Sequence, residues 1–194
     1  MADPNTLCVY CGSRTGEGDD YETVAEDMGD FMAKEGVGLV FGGGGIGLMG
    51  VIARKIMASG GRVIGVIPEH LDRVEIGFRG GTELHVVKSM HERKKLMFDL
   101  CDAIVVLPGG LGTLDELFEI ITWSQLELHD KPVIIVNHAG YWDPLITLID
   151  HVIDQGFAAP ECRDLFTVVS SAAEVIPTIR AHKPPVRPSD SEIF

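Results

Sequence analysis

The chain is 194 residues long and 45% hydrophobic, with 16 lysines and arginines against 29 aspartates and glutamates, a formal net charge of −13. That length suits one domain with an ample core, and the acidic balance argues against general affinity for nucleic acid or anionic membranes, which clustered cations would require. A small phosphate ligand stays admissible, no run reaches the roughly 20 apolar residues of a membrane span, and the N-terminus lacks the basic region and long apolar stretch of a signal peptide.

Strand-like and helix-like segments alternate along the chain. Leu7–Tyr10 reads as the first strand and Asp20–Lys34 as a helix, with Asp19 and Glu22 as its capping box. Gly38–Phe41 is a short strand running into Gly42-Gly43-Gly44-Gly45-Ile46-Gly47-Leu48-Met49-Gly50, and a helix continues to about Ala58. Arg62–Ile67 is a strand that ends at Pro68, His70–Thr82 is irregular, and Leu84–Val87 is a strand. Ser89–Cys101 reads as a helix, with Ser89 and Glu92 matching the capping pattern S-x-x-E. The strand Ala103–Leu107, the helix Thr113–Leu126, the strand Pro132–Asn137, the helix Trp142–Gln155, the strand Leu165–Val169 and the helix Ala172–Ala181 follow. Residues 1–182 thus form the expected folded unit, and the Pro-rich, polar 183–194 an expected mobile tail. Alternating βα units predict an α/β fold, a doubly wound parallel sheet with helices on both faces. Ligands of such sheets bind at the carboxyl ends of the strands, so both glycine loops and the Ser89 helix start are expected to meet on one rim.

The chemistry concentrates in Pro108-Gly109-Gly110-Leu111-Gly112-Thr113-Leu114-Asp115-Glu116, which joins the apolar run Ala103–Leu107 to a helix. A strand entering a glycine turn and then a helix N-terminus is suited to anions, because glycines let the backbone approach a ligand and the first helical amides lack internal partners. Glu116 shares a helix face with Ile120 and Trp123, apolar surroundings that would raise its pKa, so it is a candidate acid/base. Its other reading is structural, since Thr113-Leu-Asp-Glu is itself a capping-box match. In Met90-His-Glu-Arg-Lys-Lys, Arg93 lies four residues before Met97 and seven before Leu100, so it extends the apolar stripe, at a helix end where a cation opposes the dipole. Such a local conflict tends to mark a functional residue, the other reading being an arginine paired with a core carboxylate. Lys95 aligns with Asp99 and Asp102 as a solvated partner.

The loop at 42–50 holds two overlapping G-x-G-x-x-G matches, but it follows the second strand rather than the first. With Glu69 as the ribose acid a nicotinamide site remains open. Six glycines in nine positions favour close backbone approach to a ligand over packing alone. Cys8 and Cys11 fit C-x-x-C, yet lie at the end of a strand, where residues three apart point to opposite faces. With Cys101 and Cys162 they read as reduced thiols of a cytoplasmic protein. No histidine pair has ligand spacing, so neither a metal nor a cofactor is expected.

Cys8–Arg14, Gly42–Gly50, Met90–Lys94, Pro108–Glu116, Trp123-Ser-Gln-Leu and His129-Asp-Lys-Pro together resemble the LONELY GUY family of cytokinin-activating phosphoribohydrolases, whose members were often labelled lysine decarboxylases. The resemblance covers about residues 7–170. It implies a Rossmann-like fold, a homodimer with its active site near the subunit interface, and hydrolysis of a nucleoside 5′-monophosphate, such as AMP or a cytokinin riboside monophosphate, to base and ribose 5-phosphate. Arg93 and Glu116 match the family's catalytic pair. Glu75, Lys94, Gly110, Gly112, Thr113 and Thr122 match its ligand contacts. Ser13, Gly43, Gly44, Met90, Gly109, Leu111, Leu114 and Asp115, from the same motifs, complete the expected substrate-binding set. Leu111 stands where an aromatic is frequent, and Glu127 where a glycine is common. A related fold serves as a nucleotide or molybdenum-cofactor carrier without catalysis. The Arg93/Glu116 pair speaks against that alternative, and no lysine has a recognisable setting for pyridoxal-dependent decarboxylation.

Overall fold

Short runs of β-branched and apolar residues pair side by side in a seven-stranded, all-parallel sheet. The computed structural model describes residues 3–18, 20–72 and 77–184. Asp19 of the expected capping box, Glu75 among the expected contacts and residues 185–194 of the expected tail lie outside the described residues. The strands are β1 (Thr6–Tyr10), β2 (Gly38–Phe41), β3 (Val63–Pro68), β4 (Glu83–Val87), β5 (Ala103–Val106), β6 (Val133–Val136) and β7 (Thr167–Val169). Their order is β4-β3-β2-β1-β5-β6-β7. The chain winds outwards from β1 in one direction, then returns to β5 on its other side. The boundary between β1 and β5 is therefore the switch point, where the loops leaving the two strands diverge and open a crevice.

The period-two alternation of each strand feeds two cores. Leu7 and Val9 of β1 join one cluster, packed by α1 (Asp20–Lys34), α2 (Gly47–Ala58) and α7 (Val175–Ala181). Cys8 and Tyr10 join the other, packed by α4 (Met90–Asp99), α5 (Leu111–Gln125) and α6 (Asp143–Asp154). Cys8 and Cys11 fall on opposite sides of the sheet, as strand geometry requires. The helices form where apolar residues recur at helical spacing: Val24, Ala25, Met28 and Met32 in α1, and Leu48, Met49, Ile52, Ala53 and Ile56 in α2, are all buried.

Three stretches away from the glycine turn at 108–112 differ from the sequence expectation. A one-turn helix, α3 (Glu69–Asp72), opens the segment read as irregular. The final strand starts at Thr167, because a 3-10 turn beginning at Pro160 takes up the residues through Leu165. The last helix is a 3-10 turn, Ala172–Glu174, followed by α7.

Of the helices that flank the switch point on one face, α4 is tied at both ends and α5 through its later half. The Ser89 hydroxyl accepts from the Glu92 amide (3.2 Å), and the Glu92 carboxylate accepts from the Lys88 amide (2.8 Å), which caps α4. At the other end, the Lys131 ammonium donates to the Phe98 and Cys101 carbonyls (2.6 and 2.7 Å) and lies 3.9 Å from the Phe98 ring centre. His129 Nδ1 accepts from the Lys131 amide (3.1 Å), so Nε2 carries the proton and donates to Ile120 O of α5 (2.9 Å). The His-Asp-Lys-Pro motif thus fastens α4 and α5 to one loop.

The same loop holds Glu127 at φ +61°, a left-handed conformation that L residues adopt at a cost. Leu128 N donates back to Trp123 O (2.9 Å), the bond of a left-handed helix end where glycine is favoured. A glycine, the residue the resemblance leads one to expect here, would adopt this conformation without that cost. Glu127→Gly is expected to raise stability by about 0.5–1 kcal/mol, read as a higher denaturant midpoint at unchanged slope. A lower midpoint would show that the glutamate side chain more than offsets its backbone strain.

Candidate active site

The rim of the switch point is built from the loops after β1, β2 and β5. The α5 helix begins at Leu111 with Gly110 as its N-cap (φ −98°, ψ −155°), a residue with no side chain to accept from the first-turn amides. The capping box expected at Thr113–Glu116 does not form, because the helix starts two residues earlier than the sequence predicts. Thr113 lies inside the first turn and is buried, with a Cβ at Gly109 placed 2.2 Å from its hydroxyl oxygen. The amides of the Gly110–Thr113 turn receive no cap from the Gly110 position, an arrangement whose partial positive charge suits an anion.

Glu116 lies one turn further, buried against the sheet. Arg93, in the first turn of α4, meets it with Nη1 at 3.3 Å from Glu116 Oε1, and both side chains are about nine-tenths removed from solvent (8% and 10% exposed). The remaining arms of the guanidinium are committed to the ends of two strands: Nε donates to Val66 O of β3 (3.1 Å) and Nη2 to Gly42 O after β2 (3.1 Å). Arg93 is therefore the core arginine its helical spacing suggests, and it is also paired with a carboxylate. A Cβ at Gly42 would fall 1.9 Å from Nη2, so Gly42 is glycine because the guanidinium fills that space. Burial pushes the Glu116 carboxyl up to about 7, while the Arg93 charge pulls in the other direction. Asp115 and Glu119 add to the rise, and Lys94 opposes it.

Lys94 is buried beside this pair and bonds Asp115 Oδ2 and Glu119 Oε2, each at 3.1 Å. Burial works against its charge, but the bonds to Glu119 and Asp115 prevail and hold its pKa above the ordinary lysine value. Lys95, by contrast, is exposed and pairs with Asp99 one turn on.

The crevice between the β1 and β5 loops has a volume of about 490 Å³. Ser13, Gly109, Gly110 and Leu111 line it, as does Arg14, and Tyr21 and Tyr141 close one end with their rings edge to face at 5.3 Å. The Tyr141 hydroxyl donates to Gly109 O (2.6 Å), fixing the glycine turn. Sequence reasoning missed Arg14, Tyr21 and Tyr141; Arg14, next to Ser13 in the first motif, was the one with a legible signal. Gly43 and Gly44 are buried: Gly43 backs onto Val66 and Ile67, and Gly44 bridges to Gly77. At Gly42, Gly43, Gly47 and Gly50 the space a Cβ would need is taken by the protein's own atoms. Met90 and Leu114 are half-buried at the starts of α4 and α5. Thr122 is exposed on the outward face of α5, about 120° around the helix from Glu116. Among the described residues no three His, Cys, Asp or Glu side chains group to hold a metal ion.

A family model described as "possible lysine decarboxylase" matches residues 49–179. A cytokinin riboside 5′-monophosphate phosphoribohydrolase of Rhodococcoides fascians is 44% identical over 179 residues, covering 92% of this chain and 90% of its own. A phosphoribohydrolase of the same name from Arabidopsis thaliana, LOG5, is 42% identical over 178 residues, covering 92% of this chain and 78% of its own. Among solved structures, the molybdenum cofactor carrier protein of Chlamydomonas reinhardtii superposes with a TM-score of 0.69 at 19% identity, covering 91% of this chain and 96% of that one. That likeness shows the shared Rossmann-like fold alone. With its motifs, its sheet order and its relatives in agreement, the chain belongs to the family of the cytokinin riboside 5′-monophosphate phosphoribohydrolases.

Proposed function

We propose that this chain hydrolyses the N-glycosidic bond of nucleoside 5′-monophosphates, AMP and cytokinin riboside 5′-monophosphates, to the free base and ribose 5-phosphate. The observation that carries the reading is the buried Arg93–Glu116 pair beside an uncapped helix N-terminus. The 5′-phosphate sits on the amides of Gly110–Thr113, and its binding energy holds the ribose for reaction. Arg93, fixed by the Val66 and Gly42 carbonyls, offers its remaining N–H edge to the sugar or phosphate oxygens. The C1′–N bond breaks with its electron pair leaving on the base, which takes up a proton. The ionised Glu116 stabilises the oxocarbenium-like sugar, and takes a proton from the water that attacks C1′.

The decarboxylase description does not fit these residues. A pyridoxal Schiff base needs a lysine that readily gives up its proton. Lys94 is held charged by two carboxylates, and Lys131 is spent on two backbone carbonyls. The carrier reading rests on fold alone, and a carrier has no need of a buried carboxyl poised near neutrality.

The chain is proposed to act as a homodimer. Leu111, Phe118, Leu126 and Leu128 are exposed on or beside the outward face of α5, large apolar side chains of the kind a partner covers. Thr122 lies on that face, where its contact is to a nucleotide near the interface rather than to the buried Glu116 of its own chain. A cytoplasmic setting fits the free thiols of Cys8, Cys11, Cys101 and Cys162.

Three outcomes follow. Purified protein incubated with AMP releases adenine and ribose 5-phosphate, and Glu116→Gln retains AMP binding but loses at least about a hundredfold in turnover; equal turnover would sink the assignment. The kcat/KM profile rises with pH through a midpoint near 7, because the ionised carboxylate is the working form and burial sets its pKa there. A falling limb at the same midpoint would make Glu116 the proton donor to the leaving base. Phe118→Glu, tested by sedimentation, gives monomers; an unchanged mass would place the interface elsewhere.

A further inference from the structure

Arg14 differs from the other described arginines. Arg62, Arg79, Arg93, Arg163 and Arg180 each meet a carboxylate, and Arg54 donates to Gly45 O at 3.0 Å. Among the described residues Arg14 has neither an ion pair nor a hydrogen bond, in a chain where carboxylates outnumber lysines and arginines by 29 to 16. It lines the crevice at the switch point, together with the Gly109–Leu111 turn.

The backbone that carries Arg14 is braced on two sides. Gly12 N donates to Pro108 O (3.0 Å) and Gly12 O accepts from Met49 N (3.4 Å), tying the loop to the turn after β5 and to α2. Gly47, at φ +59°, packs so closely that a Cβ would lie 2.3 Å from the Ser13 carbonyl carbon and 2.5 Å from Arg14 N. One glycine of the second motif is thus spent on seating Arg14. The side chain itself is exposed and uncommitted at the crevice mouth. The α5 amides alone carry only a partial positive charge, and the surrounding chain repels anions. A guanidinium supplies a full charge and a planar fork that matches phosphate oxygens.

We infer that Arg14 is the residue through which the chain selects a phosphorylated ligand: its guanidinium closes on the phosphoryl group seated at the start of α5, so that a nucleoside 5′-monophosphate is taken and the free nucleoside is not. The inference rests on the phosphoribohydrolase reading for the place of the phosphate. The test separates binding from turnover. Wild type, Arg14→Gln and Arg14→Lys are titrated with ribose 5-phosphate and, as control, ribose, and their kcat/KM values are compared for AMP and adenosine. Arg14→Gln is expected to weaken ribose 5-phosphate binding at least tenfold and to lower the AMP-over-adenosine preference by a similar factor. Arg14→Lys should fall between, since it keeps the charge and loses the fork. Unchanged ribose 5-phosphate affinity in Arg14→Gln, or no binding by the wild type, overturns the inference. A wild type that binds ribose 5-phosphate through Arg14 yet leaves both AMP and N6-prenylated AMP intact sinks the hydrolase reading and keeps Arg14. One that cleaves AMP with Arg14→Gln unimpaired does the reverse.

Discussion

The Arg93 guanidinium sits where three elements end, and much of the rim is arranged around the need to satisfy it. A cation removed from water is tolerated only when its donors are matched. Here Nε and Nη2 donate to carbonyls from β3 and from the end of β2, and Nη1 faces a carboxylate from α5. Each partner imposes a condition. Gly42 must lack a side chain, β3 must extend far enough to present Val66, and α5 must start where Glu116 turns inwards. The supports lie further out: the Ser89 cap sets where α4 begins, and the Lys131–His129 loop holds the far ends of α4 and α5. With α4 held at both ends and α5 held through Ile120, the paired side chains are placed by the scaffold.

The proton affinity of Glu116 is a balance struck by neighbours. Burial is the largest influence and raises the carboxyl's pKa, while the Arg93 charge opposes it, leaving it at about 7. Asp115 and Glu119 lie on the same helix within reach, and each favours the neutral form. Lys94, bonded to both, offsets them and contributes its own attraction. Successive residues of α4 thus do separate electrostatic work: one faces the acid directly, and the next neutralises the acids beside it.

Much of this was legible in the chain. The alternation of elements, the parallel sheet and the convergence of the glycine loops on one rim follow from periodicity and the rules of βα winding. Arg93 and Glu116 were legible through a conflict, each being a charge on an apolar helix face. What escaped was decided by tertiary contact. The start of α5 shifted because Gly110 ends the extended segment without a cap, against the local pattern at Thr113. The glycines at 42, 43, 47 and 50 answer to Arg93, to β3, to the Ser13–Arg14 peptide and to the Gly45 carbonyl, neighbours distant in sequence for all but the last. The strain at Glu127 needs a φ value to be seen.

The bare start of α5 has a consequence for the molecule at rest. A helix usually completes its own first turn with a side chain, and this one leaves that task to whatever binds there. An anion seated on these amides would complete the turn, and its occupancy would add to thermal stability by mass action. Glu116 is thus carried by a helix fastened through Ile120 and completed at its start only by what it meets there.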